Sequence, residues 1–437
     1  MAIDLAHYFQ LIKEAQTVRV RGRVTELTGL VIKAAVPGVR VGEVVEIRGR
    51  HRSAVRAEVV GFQGEQVMLM PLGELSGIGP DSEVVPTGKP LTIKVGDGLL
   101  GRVLSGLGEP IDGKPLPPGL VEWSVDRDCP DPFTRRRIEK PLPLGLRCID
   151  GLLTVGEGQR IGLFAGSGVG KSTLMGQITR QTRADLSVVA LIGERGREVR
   201  EFIEDSLGEE GLRRSVVVCA TSDQPSLVRL RAAYVATAIA EYFRDRGGNV
   251  LFMLDTVTRL ARAQREIGLA IGEPPARQGY PPSVFSMLPR ILERTGNSDK
   301  GMCTAIYTCL VAGGDMEEPI ADEVRGILDG HFILDRKLGE RNQWPAMDVL
   351  ASLSRVMSAI VSPDHKRAAA KLRETLATYE KQRDLILLGA YQYGTDPKTD
   401  YAIDKYDEII AFLKQSTDEE CPFEETVRRL VEMFPEE

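Results

Sequence analysis

One short segment constrains the fold more than any other part of this 437-residue chain. Ala165-Gly-Ser-Gly-Val-Gly-Lys-Ser172 follows an apolar, strand-like run, Arg160–Phe164, and precedes a helix-like stretch, Thr173–Thr182. Glycines in such a turn let successive backbone N–H groups point into one concavity, and the following helix adds the positive end of its dipole. Strand, glycine-rich turn and helix in this order predict a phosphate-binding loop at the edge of a parallel sheet.

The loop also predicts individual roles. Lys171 would reach the β- and γ-phosphates of a nucleotide, and the Ser172 hydroxyl would coordinate Mg²⁺. The motif ordinarily begins with glycine, whereas this chain has Ala165. The residues that we predict to contact the nucleotide are Gly166, Ser167, Gly168, Val169, Gly170, Lys171, Ser172 and Thr173.

Two further strand-like segments end in carboxylates. The run Asn249–Asp255 is apolar and closes with Asp255, which would hold the Mg²⁺. The run Val188–Ile192 leads to Glu194, which would polarise an attacking water molecule. Apolar runs that end in Asp are common, and charged turns are often simply solvated. Both assignments therefore depend on the phosphate-binding loop.

Three regions with different secondary-structure patterns follow one another along the chain. Residues 18–92 contain short β-like runs separated by Gly, Pro and Asp, which predicts a small barrel or sandwich. After Cys148, strands alternate with helical stretches, which is typical of a mostly parallel α/β sheet. Beyond Asp364 only amphipathic helices are expected. The strands expected in the sheet are Arg160–Ala165, Ser187–Ile192, Ser215–Ala220, Val250–Leu254 and Cys303–Val311, and the later helices are Ala368–Leu388 and Asp400–Gln415.

Composition excludes several classes of protein. The net charge of −6 argues against a protein that binds nucleic acid through a strongly basic surface. We find neither a run of eighteen apolar residues nor a secretory signal, so neither a transmembrane helix nor a signal peptide is expected. The six cysteines form no C-x-x-C pair and are expected as buried, reduced thiols, and the four scattered histidines make a structural zinc site improbable. Residues 1–16 place apolar side chains at helical spacing, which predicts a short amphipathic helix.

Three segments together resemble the rotary ATP synthase α/β family: Gly193-Glu-Arg195, Asp255-Thr-Val-Thr-Arg259 and Pro345–Ser354. The last of them fits the family signature P-A-x-D-x-x-x-S-x-S. Within the family, the stretches 193–205, 263–294 and 322–338 resemble the ATPases of type III protein export, which comprise injectisome and flagellar members. The resemblance covers about residues 18–415.

The resemblance implies roles for four further side chains. Glu194 corresponds to the catalytic glutamate, and Arg195 and Arg259 to arginines near the γ-phosphate. Arg355 corresponds to an arginine finger that is contributed to the site of a neighbouring subunit. The implied substrate is ATP and the implied metal is Mg²⁺.

The same resemblance implies a base-binding site. Trp344 stands where the family usually has a tyrosine that packs on adenine, although it is equally compatible with a core aromatic position. Tyr391 would line the other face of the base. Ala312 and Gly314 replace two carboxylates that family members often carry, which removes any role for those acids here.

The implied architecture is an α/β protein: a P-loop, RecA-like core of mostly parallel strands with an N-terminal small β-barrel and a C-terminal helical domain. We expect domains at residues 1–92, 93–362 and 363–437. The implied assembly is a homohexamer without nucleic acid, cytoplasmic and peripheral at the inner face of the inner membrane. Its central coiled-coil stalk would contact loop 272–282, a stator-like regulator would bind the N-terminal helix, and chaperone–effector complexes would bind residues 363–437.

The leading hypothesis is therefore an ATPase that energises type III export. Residues 259–266 and 297–302 favour the injectisome branch over the flagellar branch, which stays the alternative. An ATP synthase catalytic subunit is disfavoured by the export-type stretch at residues 272–294. A ring-shaped RNA helicase is disfavoured by the acidic balance and the lack of an aromatic and basic strand-binding platform. A non-catalytic nucleotide-binding regulator would have no need of Glu194.

Overall fold

The computed structural model describes residues 20–49 and 54–435. The chain divides into two compact units, Met1–Leu91 and Thr92–Glu437. The amphipathic helix predicted at residues 1–16 lies outside the described residues.

The first unit is a closed β-barrel, which confirms the predicted small barrel. Its strands follow the order β1-β2-β5-β4-β3-β6. Alternate apolar side chains such as Ile32, Val45 and Leu69 are fully buried inside it. Gly64 takes a φ of 61° in the tight turn between two neighbouring strands, a conformation that glycine adopts without steric cost. The strands are β1 (Gly22–Thr28), β2 (Val31–Ala35), β3 (Glu43–Arg48), β4 (Val55–Gln63), β5 (Gln66–Pro71) and β6 (Glu83–Pro90).

The second unit is built on an eight-stranded sheet in its described part, in the order β16-β15-β10-β14-β13-β11-β12-β8. All of its pairings are parallel except that between β15 and β16, as the predicted α/β class requires. Every residue of Leu186–Glu194 is buried, because helices cover both faces of a parallel sheet. Its strands are β8 (Arg102–Ser105), β10 (Arg160–Ala165), β11 (Leu186–Glu194), β12 (Ser215–Thr221), β13 (Asn249–Asp255), β14 (Met302–Leu310), β15 (Gly330–Leu334) and β16 (Leu353–Ser354). A separate antiparallel pair is formed by β7 (Thr92–Val95) and β9 (Val121–Ser124).

The helices of the core connect or cover these strands. They are α1 (Arg147–Leu152), α2 (Lys171–Gln181), α3 (Gly196–Glu201), α4 (Gly208–Arg213), α5 (Ser226–Asp245), α6 (Val257–Ala270), α7 (Pro282–Leu292), α8 (Pro319–Ile327), α9 (Arg336–Glu340) and α10 (Met357–Ile360), with a π-helical turn at Phe202–Leu207 between α3 and α4. Between α6 and α7, residues 274–278 are exposed. Tyr280 is buried behind them, and Arg277 pairs with Asp322 of α8 at 3.1 Å.

The last part of the chain is helical, as predicted. Helix α11 spans Pro363–Leu387, α12 spans Pro397–Leu413 and α13 spans Phe423–Met433. The start of α11 is marked by Ser362, whose hydroxyl caps the helix by accepting the N–H of His365. Helix α13 was not predicted, although its apolar face buries Leu430.

Buried hydrogen bonds attach this helical region to the core. The Nε atom of Arg147 donates to the carbonyl of Phe412 at 2.9 Å, and its guanidinium pairs with Glu419. The side chain of Gln415 accepts the N–H of Arg147 at 2.9 Å and donates to the carbonyl of Gly145 at 2.8 Å. The segment between α12 and α13 is therefore held against the phosphate-binding half of the core.

Two expectations from composition are tested by the structure. In the part of the chain that the structure describes, we find no helix long and apolar enough to cross a membrane. All six cysteines are unpaired and five are buried, as expected. Cys129 is the exception: it is exposed because it lies in a proline-rich surface segment rather than in a strand.

The core contains a buried ion pair whose loss should destabilise it. Arg294 donates to both oxygens of Glu241 at 2.8 and 2.6 Å, and both side chains are almost fully buried. Replacing Glu241 by Gln removes the charge that balances a buried guanidinium. We expect Glu241→Gln to lower the free energy of unfolding by about 3 kcal/mol in equilibrium urea denaturation.

The matched control is Glu204→Gln, which removes the partner of Arg200 on the surface. Solvent screens that pair, so little change is expected. An equally small change for both variants would contradict the assignment of stability to the buried pair.

Candidate nucleotide site

The predicted phosphate-binding loop forms at the carboxyl end of β10. Gly168 and Gly170 take φ values of 76° and 81°, which turn the backbone into the helix α2. A Cβ atom on Gly170 would also lie 3.0 Å from the Trp344 ring. Ala165, which departs from the usual motif, is the fully buried last residue of β10. The turn of the chain therefore begins after it, and glycine is not required there.

Lys171 lies between two carboxylates. Its Nζ atom contacts Asp255 Oδ1 and lies 3.9 Å from Glu194 Oε1. Asp255 is buried at the end of β13, and its Oδ1 atom also accepts the hydroxyl of Thr308 at 2.7 Å. The carboxyl ends of parallel strands meet at one edge of a sheet, which is why residues 84 positions apart form an ion pair.

Glu194 is positioned by an irregularity in its strand. Gly193, with a φ of 68°, interrupts the register between β11 and β12. One carboxylate oxygen, Oε2, pairs with Arg259 at 3.1 Å. The other, Oε1, is buried and has no hydrogen-bond partner among the described residues. It is therefore available to a molecule that enters the site.

Burial, together with the nearby charge of Asp255, raises the pKa of Glu194 to about 7. Lys171 and Arg259 act in the opposite direction, and their effect is smaller than that of burial. A carboxylate with a pKa near neutrality is well matched to accepting a proton, or to orienting water, at physiological pH.

The two arginines predicted near the γ-phosphate differ in placement. Arg259 lies on the first turn of α6, donates to the carbonyl of Gly193 and contacts Glu194. Arg195 is not brought to the site: it pairs with Glu198 at 3.4 Å, and three quarters of its side chain is exposed. Arg195 immediately precedes α3, so its side chain follows the surface of that helix.

A cavity of about 370 Å³ adjoins the phosphate-binding loop. Trp344 forms one wall, and Val169, Leu174 and Leu334 add apolar surface. Gln415 and Thr417 line the cavity as well. Its place beside the loop and its flat aromatic wall suit a nucleotide base.

Tyr391 does not line this cavity. Its hydroxyl donates to Asp400 Oδ1 at 2.8 Å, beyond the end of α11. Gln415 and Thr417 take part instead, and our sequence reasoning missed both. Gln415 donates its N–H to the carbonyl of Trp344 at 2.9 Å. The one available signal was the break in helical pattern between α12 and α13, which carries no base-binding motif.

Oxygen ligands suited to Mg²⁺ are present at the same edge. The Ser172 hydroxyl is exposed in the first turn of α2, and Asp255 Oδ2 receives no hydrogen bond from the described residues. Hydroxyl and carboxylate oxygens are the ligands that Mg²⁺ prefers. Within the described ranges no cluster of three His, Cys, Asp or Glu residues forms a metal cage. These two residues fit an ion that also takes oxygens from a phosphate and from water.

Arg355 lies at the amino ends of the parallel strands, whereas the phosphate-binding loop lies at their carboxyl ends. It follows β16, and its N–H donates to the carbonyl of Asp329 at 3.1 Å, level with Arg160 at the start of β10. The phosphate-binding loop begins at the other end of β10, roughly 16 Å away at about 3.3 Å per residue. Arg355 is exposed and forms no ion pair with any described residue. Its guanidinium is too far to reach the site of its own chain.

Comparison with known families covers most of the chain. Residues 145–354 match the ATP synthase alpha/beta family, nucleotide-binding domain, and residues 24–88 match the β-barrel domain of that family. Residues 361–432 match the T3SS EscN ATPase C-terminal domain.

Individual relatives agree with this match. The chain is 57% identical to the flagellum-specific ATP synthase of Bacillus subtilis, over 94% of both chains. It is 55% identical to the type 3 secretion system ATPase of Xanthomonas euvesicatoria, over 94% of this chain and 93% of the relative. The assembled ATPase EscN, solved with its central stalk EscO from enteropathogenic E. coli, superposes with a TM-score of 0.88 at 47% identity, over 94% of this chain and 99% of EscN. The chain belongs to the ATP synthase alpha/beta family, within its group of type III secretion and flagellum-specific ATPases.

Proposed function

We propose that the chain hydrolyses MgATP at sites shared between neighbouring subunits of a homohexameric ring, and that this turnover energises type III protein export. One observation carries the proposal. Lys171, Glu194 and Asp255 meet at one edge of the sheet, whereas Arg355 is exposed and unpaired at the other edge. Each chain therefore has a site that lacks an arginine finger and, elsewhere, the unpaired guanidinium of Arg355. A ring of identical chains joins the two.

The residues of the carboxyl edge divide the chemistry of phosphoryl transfer. Backbone N–H groups of Gly166–Gly170 surround the phosphates, and Lys171 leaves Asp255 to neutralise charge on them. Glu194 orients the attacking water through its free Oε1 atom, while Arg259 holds Oε2 in place. Positioning and charge stabilisation account for most of catalysis in this reaction class.

Mg²⁺ and the base complete the bound substrate. Ser172 and Asp255 would hold the ion, which neutralises charge on the phosphates when bound. Trp344 would pack on the adenine ring, with Gln415 and Thr417 beside it. Thr173 and Val169 would contact the nucleotide next to the loop.

Arg355 completes the site of the next subunit. A guanidinium supplied in trans stabilises the charge that develops on the transferring phosphoryl group, an effect of about 10³–10⁵-fold in rate. Arg195, which faces solvent, is free to act only if binding or assembly moves it toward the site.

We further propose how the parts of the chain divide the work of export. Residues 1–92, 93–362 and 363–437 would serve as ring-forming barrel, motor and partner-binding region. A related complex holds a central stalk, and loop 272–282, which is exposed at residues 274–278, would contact a coiled-coil stalk in this chain's ring. The N-terminal helix would bind a stator-like regulator that keeps the ring peripheral to the inner membrane.

The partner-binding region exposes apolar side chains near the end of α11. Leu387 is 68% exposed and Leu388 is 81% exposed. Exposed apolar clusters of this kind mark protein-binding sites, which supports docking of chaperone–effector complexes here. The flagellar and injectisome relatives are almost equally similar, at 57% and 55% identity, and these identities do not separate the two branches. We favour injectisome export because of residues 259–266 and 297–302 alone.

Replacing Glu194 by Gln keeps the shape of the side chain and removes the proton acceptor. We expect Glu194→Gln to lower kcat by about 10²–10⁴-fold, because general-base assistance is lost. Binding of a fluorescent ATP analogue should remain, since the loop and Lys171 are intact. Glu201→Gln is the control, because Glu201 pairs with the exposed Arg197 on the surface of α3. Unchanged turnover in Glu194→Gln would remove Glu194 from the mechanism.

The raised pKa of Glu194 predicts a pH dependence. Below about pH 7 the carboxyl group is protonated and cannot accept a proton, so kcat/KM should rise as the pH increases through about 7. Initial rates from about pH 5.5 to about pH 8.5 measure this limb. The residual activity of Glu194→Gln should lack it. The same rising limb in the variant would assign the titration to another group.

Replacing Arg355 by Ala should abolish turnover without affecting the fold. The side chain is exposed and unpaired within its own chain, so the melting temperature should not change. The specific activity of the wild type should rise steeply with protein concentration, as sites are completed by neighbours. The specific activity of Arg355→Ala should stay at least about 10³-fold lower at every concentration. Equal activity of the two proteins would refute a site completed in trans.

A further inference from the structure

Phe133 is the most exposed large apolar side chain among those of the described residues, at 99% exposure. Exposing a phenylalanine ring to water is unfavourable in free energy, and aromatic residues are common at the centres of protein interfaces. We propose that Phe133 anchors one copy of this chain to the next copy, on the edge of the sheet that presents Arg355. The inference rests on the proposed function, because it assumes that this edge faces a neighbour.

The turn that carries Phe133 is held rigidly before any partner binds. Pro130 and Pro132 restrict the backbone on either side of Asp131. The Asp131 carboxylate accepts the N–H of Phe133 at 2.7 Å, and its carbonyl accepts the Thr134 hydroxyl at 3.0 Å. A ring held in place in this way loses little conformational entropy on docking.

The same turn is attached to the core by the arginines that follow it. Arg135 donates to the carbonyls of Glu293 and Thr295 at 2.5 and 3.0 Å. Arg136 donates to the carbonyl of Asp299 at 2.6 Å. These bonds join the turn to the segment between α7 and β14.

Three ion pairs and one backbone hydrogen bond lead from this turn to Arg355. Arg135 pairs with Glu293 at 3.2 Å, and Glu293 pairs with Arg160 at 2.5 Å. Arg160 pairs with Asp329 at 3.2 Å, and the carbonyl of Asp329 accepts the N–H of Arg355. Phe133 and Arg355 therefore belong to one rigidly connected edge.

The link between Phe133 and Arg355 points to a second copy of this chain as the partner of Phe133. The surface that receives Arg355 belongs to a second copy of this chain, and that copy must approach the edge that also carries Phe133. A related ATPase of 47% identity has been solved in assembled form, which supports copies as occupants. The ring of Phe133 would then be buried against the neighbour, and the ion-pair series would hold Arg355 in register with that contact.

The experiment measures assembly and turnover separately. Sedimentation velocity over a range of protein concentrations gives the midpoint of assembly for wild type, Phe133→Ala and Phe133→Tyr. We expect the midpoint of Phe133→Ala to lie at least about tenfold higher in concentration, as for loss of an interface anchor. Phe133→Tyr keeps the ring and should remain within about threefold of wild type. At concentrations above its midpoint, Phe133→Ala should regain wild-type kcat, because Phe133 touches no reacting group.

Leu388→Ala is the matched control, since it also removes an exposed apolar side chain. Leu388 lies directly after α11, away from the strand ends that carry Arg355. Its assembly midpoint should equal that of wild type. The proposal is overturned if Phe133→Ala assembles at the wild-type concentration, or if Leu388→Ala shifts the midpoint as much. It is also overturned if the wild type never assembles. An active Arg355→Ala variant would refute the site in trans but leave the assembly result as a direct test of Phe133.

Discussion

The parallel arrangement of the core strands is the constraint on which the rest of the structure depends. Because β10, β11 and β13 run in the same direction, the phosphate-binding loop, Glu194 and Asp255 must share one edge. The start of β10, and with it Arg355, must lie at the other edge. A chain of this topology cannot bring Arg355 to its own site. This separation supports the proposal that Arg355 completes the site of a neighbouring chain in a ring.

The balance of charge within the site determines which kind of ligand it can accept. Lys171 and Arg259 face the carboxylates of Asp255 and Glu194 in a buried space. Burial raises the pKa of Glu194, while one of its oxygens remains unpaired. Entry of a nucleotide would give Lys171 a phosphate in place of Asp255 and give Glu194 Oε1 a water molecule. The site is therefore arranged for an anionic ligand that rearranges these pairs.

Local patterns allowed much of this to be predicted. The glycine-rich loop, the apolar strands and the helices at the end of the chain all depend on residues close together in sequence, and their types were confirmed by the fold. The family resemblance covered the same parts. The structure also shows why Ala165 is compatible with the loop: it belongs to the strand and not to the turn.

Long-range packing explains what the sequence could not reveal. The wall of the proposed base cavity contains Gln415, which bonds to Arg147 and Trp344, and Thr417, whose carbonyl accepts a hydrogen bond from Arg180. No periodicity in residues 414–421 signals this, and the family resemblance implied Tyr391 instead. Arg195 faces solvent because α3 begins directly after it. In both cases the placement depends on how separate elements pack, which a local pattern does not encode.

The most direct test of a site shared between subunits is complementation between two inactive variants. Glu194→Gln lacks the proposed catalytic carboxylate but keeps Arg355, and Arg355→Ala has the opposite defect. Mixed rings would contain interfaces at which Glu194 of one subunit meets Arg355 of the next, about a quarter of the total for random assembly of an equal mixture. The account predicts that mixing restores about that fraction of wild-type ATPase activity. A mixture as inactive as its components, in rings shown to contain both variants, would contradict it.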